Sequence, residues 1–210
     1  LINSISASCI ARDKNQYRVF FSGGDALYAT FEGTKLSGIM PVSLSNPVKC
    51  ISSQEGTSGA EEKYFGSTNG MVYQLDMGTS FDGDAITFDL HLSYNHFGNP
   101  RLLKQFRKAA IEVSGSHYCE FQFAYSLGYG TTDLSQPSGE TITNNLAGTS
   151  WDNFTWDDFF WDGQNLLPSE ADLDGTAENI SLSFSGTSDK FEPFTLNGAS
   201  IVYTPRRMLR

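Results

Sequence analysis

Three tryptophans spaced five residues apart, each followed by aspartate, are the most distinctive chemistry-bearing residues of the chain: Trp151-Asp152, Trp156-Asp157 and Trp161-Asp162. A Trp ring stacks on the apolar face of a pyranose while a neighbouring carboxylate accepts its hydroxyl protons, so glycan contact is one reading. Internal packing is a second. The third is a subunit interface, where buried aromatic anchors carry much of the binding energy. On an extended strand Trp151 and Trp161 share a face, and Trp156 points away unless a bulge or turn intervenes. Three rings on a solvent-facing loop would form an apolar patch that invites association. The interface reading therefore leads, with Trp151, Trp156 and Trp161 as its anchors.

A second cluster is basic. Arg101, Lys104, Arg107 and Lys108 place four of the 14 Lys and Arg residues in eight positions, and Arg206, Arg207 and Arg210 lie at the end. The net charge is −10, so such a patch is either a solvated face or a complement to acidic surface on another copy. Nucleic-acid binding is the weaker reading, because surplus carboxylates repel phosphates. We expect Arg101, Lys104, Arg107 and Lys108 to contribute to a subunit interface.

The remaining constellations read as architecture. No G-x-S-x-G or H-E-x-x-H occurs, and His91 and His96 fall on opposite faces of a regular strand, with His117 further on. Gly128-Tyr129-Gly130 has Asp133 where a dinucleotide fingerprint needs its third glycine, so it reads as a Gly-rich turn. Asp82-Gly83-Asp84 and Asp172-Leu173-Asp174-Gly175 match fragments of calcium loops but lack the closing bidentate Glu, which favours turns. A glycosidase needs two carboxylates in one cleft, and only the Trp-Asp segment offers candidates. We therefore assign no catalytic, cofactor-binding or metal-ligating residue and expect no enzyme and no cofactor. Cys9, Cys50 and Cys119 form no C-x-x-C and read as buried thiols of a protein assembled in a reducing compartment.

What positions these residues is expected to be all-β. Of 210 residues, 18% are charged and 39% hydrophobic, with 16 Phe and 9 Tyr, a mix that builds a core rather than a disordered tail. No 18-residue apolar run is present, so no membrane anchor is expected. Leu1 opens the sequence without a leader pattern, which reads as a processed product or a fragment.

Short aromatic runs at 17–21 and 27–31, and again at 63–65 and 71–75, flank Ser22-Gly23-Gly24-Asp25 and Ser67-Thr68-Asn69-Gly70. Both are hairpin turns by their chemistry. The two hairpins match, with Tyr28 and Tyr73 set 45 residues apart. That period suits β-propeller blades, and closure of a propeller needs at least about four. Residues 1–83 are thus expected to be propeller-like blades, incomplete within this sequence. The alternative is two hairpins of one sandwich.

From 84 to 210 longer alternating strands, at 85–94, 109–113, 118–127, 179–184 and 199–203, predict a β-sandwich or jelly-roll-like domain. Phe88, Leu90 and Leu92 would share a half-buried face, as would Phe121 and Phe123. Asn99-Pro100 followed by Leu102, Leu103, Phe106, Ala109 and Ala110 predicts a short helix running into a strand near Phe106. Residues 128–178, which hold all three Trp, read as a long excursion.

Tyr17-Arg18-Val19-Phe20-Phe21-Ser22-Gly23, then 64–67 and 72–83, with Lys104-Gln105-Phe106-Arg107-Lys108 and the terminal Arg206 and Arg207, resemble tail proteins of tailed bacteriophages. The nearest group is the nozzle, hub or packaged-DNA stabilisation proteins of short-tailed phages, and the likeness is to their C-terminal part. The resemblance implies a virion structural protein of the tail, assembled in the host cytoplasm. It implies a homo-oligomeric ring, a hexamer, contacting portal, adaptor and other tail proteins while DNA passes without specific binding. It brings no catalytic residue. An acidic conduit is physically sensible, since carboxylates do not hold phosphates. A receptor- or glycan-binding tail module is the alternative.

Overall fold

The structure, a computed structural model, describes residues 4–115, 118–145, 169–188 and 194–208. Strand makes up 66% of it, and the class is all-β. Trp151, Trp156, Trp161, His117 and Arg210 lie outside the described residues, so the expectations placed on them stand as stated. The chain divides into two compact units, Leu1–Asp84 and Ala85–Arg210.

In the first unit, β1 (Ile5–Ala11), β2 (Gln16–Phe21), β3 (Asp25–Glu32) and β4 (Lys35–Ser43) form an antiparallel meander. A second sheet holds β5 (Val48–Glu55), β6 (Glu61–Ser67) and β7 (Val72–Leu75), followed by the small hairpin β8 (Ser80–Phe81) and β9 (Asp84–Ala85). Phe20, Ala26, Tyr28, Leu44, Val48, Phe65 and Leu75 make one core shared by the two larger sheets. The hairpins read from the turn residues form at those turns. Gly24 (φ 99°) closes the first and Gly70 (φ 81°) the second, where Asn69 Oδ1 accepts the Met71 N–H. Asp82 (φ 56°) and Gly83 (φ 94°) are the two left-handed residues of the β8–β9 turn, which is what Asp-Gly supplies there.

The first sheet carries apolar residues on both faces. Phe20, Ala26 and Tyr28 point into the core, while Ile10, Tyr17, Ala29 and Ile39 line up in register across all four strands on the opposite side. Ile10 and Ile39 are 60% and 59% exposed, so that outer row is uncovered.

The second unit contains β10 (Thr87–His91), β11 (Leu102–Gly115), β12 (Tyr118–Leu127), β13 (Glu140–Asn145), β14 (Ser169–Asp172), β15 (Thr176–Ala177), β16 (Ile180–Thr187) and β17 (Phe194–Met208). One sheet runs β10-β16-β12-β13. In the other, β11 is central, with β14 and β15 along one side and β17 along the other. Alternate residues of both sheets meet in one core: Phe106, Ala109, Ile111 and Val113 of β11 face Phe121, Phe123, Tyr125 and Leu127 of β12 and Ile180, Leu182 and Phe184 of β16.

Four expectations need correction. Residues 102–115 are strand, and Asn99 is not a helix cap: its Oδ1 accepts the Arg101 N–H in a tight turn leading into β11. The helix-like spacing of Phe106 and Ala109 has a specific origin. A register break between Phe106 and Lys108 inserts Arg107 as an extra residue, so side chains three apart both face the core. Second, the excursion is shorter than 128–178, because β13 pairs with β12, and β14 and β15 pair with β11. Gly128-Tyr129-Gly130 is a single left-handed turn (φ 57°, 60° and 69°). Third, Phe88, Leu90 and Leu92 are exposed, at 36%, 42% and 41%, whereas Phe121 and Phe123 are buried. Phe88 and Leu90 lie on β10, the last strand of their sheet, and Leu92 just beyond its end. Fourth, Cys50 is exposed and Cys9 half-buried.

Candidate functional site

The four basic residues of 101–108 do not form one patch. Lys104 is fully buried. It sits on the inward alternation of β11, two residues before Phe106, and its Nζ donates to the carbonyls of Asn99 (2.8 Å), Leu102 (2.9 Å) and Glu178 (2.8 Å). Burial lowers its pKa from the ordinary lysine value. This side chain ties the turn before β11 to the segment entering β16, and no partner can reach it.

Arg101, Arg107 and Lys108 are exposed. Lys108 Nζ meets Glu170 Oε2 at 2.6 Å on the neighbouring strand β14, and that bond raises its pKa. Arg107, the bulged residue, donates to Gln105 Oε1 at 3.1 Å, and the same oxygen accepts from Arg206 of β17. Pairing of Gln105 with Thr204 in the β11–β17 ladder is what brings the two basic segments of the sequence side by side. The exposed basic face is thus Arg107 and Arg206 around Gln105, with Lys108 already paired to a carboxylate.

The first unit holds a charge cluster that sequence reasoning missed. Arg18 of β2 and Lys63 of β6 are buried, at 1% and 2% exposure, and both point to Asp76. Arg18 Nη1 lies 2.8 Å and Lys63 Nζ 3.4 Å from its Oδ2. Lys63 also reaches Asp13 at 2.9 Å and Glu61 at 3.4 Å, and Lys14 approaches Asp76 at 3.6 Å. Three cations and three carboxylates balance. Arg18 lies over the Tyr28 ring, 4.2 Å from its centroid, and its Nε and Nη2 both donate to Gln16 Oε1. Burial pushes the Tyr28 hydroxyl up to about 12. Burial also works to raise Glu61, but bonds from the Ser53 hydroxyl and the Asp13 N–H, with the Lys63 charge, hold it at about 2.

A signal for this cluster was present. Arg18 and Lys63 are 45 residues apart, as are Phe20 and Phe65, and Tyr28 and Tyr73. The repeat therefore carries a buried cation two residues before a buried Phe in both hairpins. In each, the Phe packs against the Tyr of the return strand, with centroids 6.0 and 5.2 Å apart.

The arrangement joins the two sheets of the first unit. An open cleft of about 440 Å³ in the second unit, lined by residues including Tyr129, Leu134, Glu178 and Asn179, has one carboxylate, Glu178. The Asn179 side chain there accepts the Tyr129 N–H, holding the left-handed turn. Among the described residues no group of three His, Cys, Asp or Glu side chains is placed to hold a metal ion. No protein-family model matches this chain, and no curated protein was found to be similar to it.

Proposed function

We propose that the chain is a structural subunit of a bacteriophage tail, part of the ring or nozzle that conducts and retains packaged DNA below the portal. In this reading the first unit contributes β-propeller blades and the second is a β-sandwich. The supporting observation is the first sheet, whose inner face lies on the core shared with the second sheet while its outer row of Ile10, Tyr17, Ala29 and Ile39 is open. A propeller blade is covered on both faces by its neighbours, so it needs two apolar faces, unlike the edge sheet of an isolated sandwich. The 45-residue recurrence of cation, Phe and Tyr supports the same reading. The net charge of −10 suits a conduit past which DNA slides.

Partners follow from the same proposal: further copies in a ring, hexameric by the resemblance, and the portal, adaptor and other tail proteins. The Trp-Asp repeat and the Arg107–Arg206 face are the surfaces offered for these contacts. Negative-stain microscopy of the purified protein is the test. Closed rings of about six subunits are expected, and a particle that stays monomeric while degrading a polysaccharide would overturn the reading.

A further inference from the structure

β10 is an edge strand with unusual exposure. All five of its residues, Thr87 to His91, are exposed, and among the described residues only β16 pairs with it. Edges are usually guarded against pairing with another chain by Pro, Lys or a bulge. Two longer edges here have such guards: β4 carries Lys35 and Pro41, and β17 carries Pro205, Arg206 and Arg207 with three register breaks against β11. From 87 to 93 the sequence is Thr-Phe-Asp-Leu-His-Leu-Ser, with no Pro, Lys or bulge, Asp89 as its one carboxylate, and an unbroken register against β16 from Thr87 to His91.

The backbone of this edge has a definite polarity. Leu92 N–H donates to Leu182 O and Ser188 N–H to Ile86 O, each at 2.8 Å. Antiparallel ladders alternate, so Phe88, Leu90 and Leu92 turn their backbone groups toward β16 while Thr87, Asp89, His91 and Ser93 turn theirs outward. Side chains alternate as well: Leu90 lies opposite the core residue Phe184, and Asp89 and His91 share the other face, 3.1 Å apart.

We propose that β10 pairs with β10 of a second copy about a two-fold axis through Leu90. In that register Leu90 faces Leu90, Phe88 faces Leu92, and Asp89 faces His91 on both sides of the axis. Each outward backbone group meets a partner, because Asp89–His91 and Thr87–Ser93 become the hydrogen-bonded pairs. Both apolar and polar faces match: the three exposed apolar side chains of one copy meet the three of the other, and each carboxylate meets an imidazole. The neighbouring two-fold register, centred on Asp89, sets two carboxylates directly opposite each other and is disfavoured. The product is one continuous sheet of eight strands through two subunits. A two-fold contact uses one patch twice, whereas a cyclic ring uses two different patches, so this inference is independent of the ring proposed above.

The test is light scattering of the full chain from roughly 1 to 100 µM, a range that covers ordinary homodimer affinities. A dimer is expected for the parent. His91→Asp sets like charges opposite each other twice and should weaken dimerisation about tenfold, and the exchange Asp89→His with His91→Asp should restore it. Leu90→Cys should form a disulfide that peptide mapping assigns to 90–90, since residues facing across a non-hydrogen-bonded pair are near enough to bridge. Asp89→Cys should give no 89–89 link. A parent that remains monomeric, a dimer or ring indifferent to His91→Asp, or an 89–89 link would each overturn the inference. A ring indifferent to His91→Asp would leave the proposed function standing.

Discussion

Removal of the Lys104 side chain leaves the carbonyls of Asn99, Leu102 and Glu178 without their shared donor. Lys104→Ala is expected to cost the second unit about 3 kcal/mol, read by denaturant melting, because a buried charged group with three hydrogen bonds is lost together with its packing. Arg107→Ala, three positions on, should stay within about 0.5 kcal/mol of the parent, as exposed substitutions do. In the first unit Glu61 gives a pH signature. Its carboxyl sits at about 2 when folded against an ordinary 4.5. A depressed acid contributes stability above its unfolded value and loses it as pH falls through the folded one. The melting temperature of the first unit should therefore drop between pH 4.5 and 2. Ser53→Ala, which removes one of the bonds holding Glu61 down, should make that drop smaller.

Adjacent glycines in the β2–β3 turn make opposite demands on their surroundings. A Cβ on Gly24, which has φ 99°, would stand 2.7 Å from the Leu44 carbonyl oxygen, while one on Gly23 would meet nothing within 4 Å. Gly24→Ala should cost about 2 kcal/mol or more, combining left-handed strain with a backbone clash, and Gly23→Ala should be close to neutral in the same melting experiment. Elements of this kind were legible in the sequence because their chemistry is local: Gly24, Asn69-Gly70 and Asp82-Gly83 mark turns whatever surrounds them. The strand at 102–115 was harder. Phe106 and Ala109 share a face through one bulged arginine, and a bulge is decided by the β17 partner about 100 residues away rather than by its own neighbours. Lys104 was misplaced for a related reason. Its type and spacing belong to a surface patch, and only the convergence of three carbonyls, two from the adjoining turn and one from distant Glu178, turns it inward. Arg18 and Lys63 went unnoticed although the repeat displayed them, because a cation on the inward alternation of a strand makes sense only once its carboxylates are located.

Each unit of the molecule has its own core. Ala85–Arg210 produced alone should melt cooperatively and keep its near-ultraviolet aromatic signal. Stopping the chain before Phe194 should abolish both, since Phe194, Leu196, Ile201 and Tyr203 all pack on that core. The pairing of β11 with β17 extends from Leu102–Met208 to Gly115–Phe194 and so joins the start of the unit to its last strand. A ribosome makes β11 long before it makes β17. Until then the outer flank of β11 has no partner, and its apolar residues wait beside unpaired backbone in the emerging polypeptide. The second unit consequently folds only once β17 has been made, while the first, built from sequential hairpins, can condense earlier in synthesis. An arrested-chain series should show protease resistance appearing in two steps: an early one for the first unit, and a late one only after β17 has left the exit tunnel. Overexpression would load the cell with half-made subunits during that interval, so slower synthesis at lower temperature should raise the soluble yield more than any change to the surface.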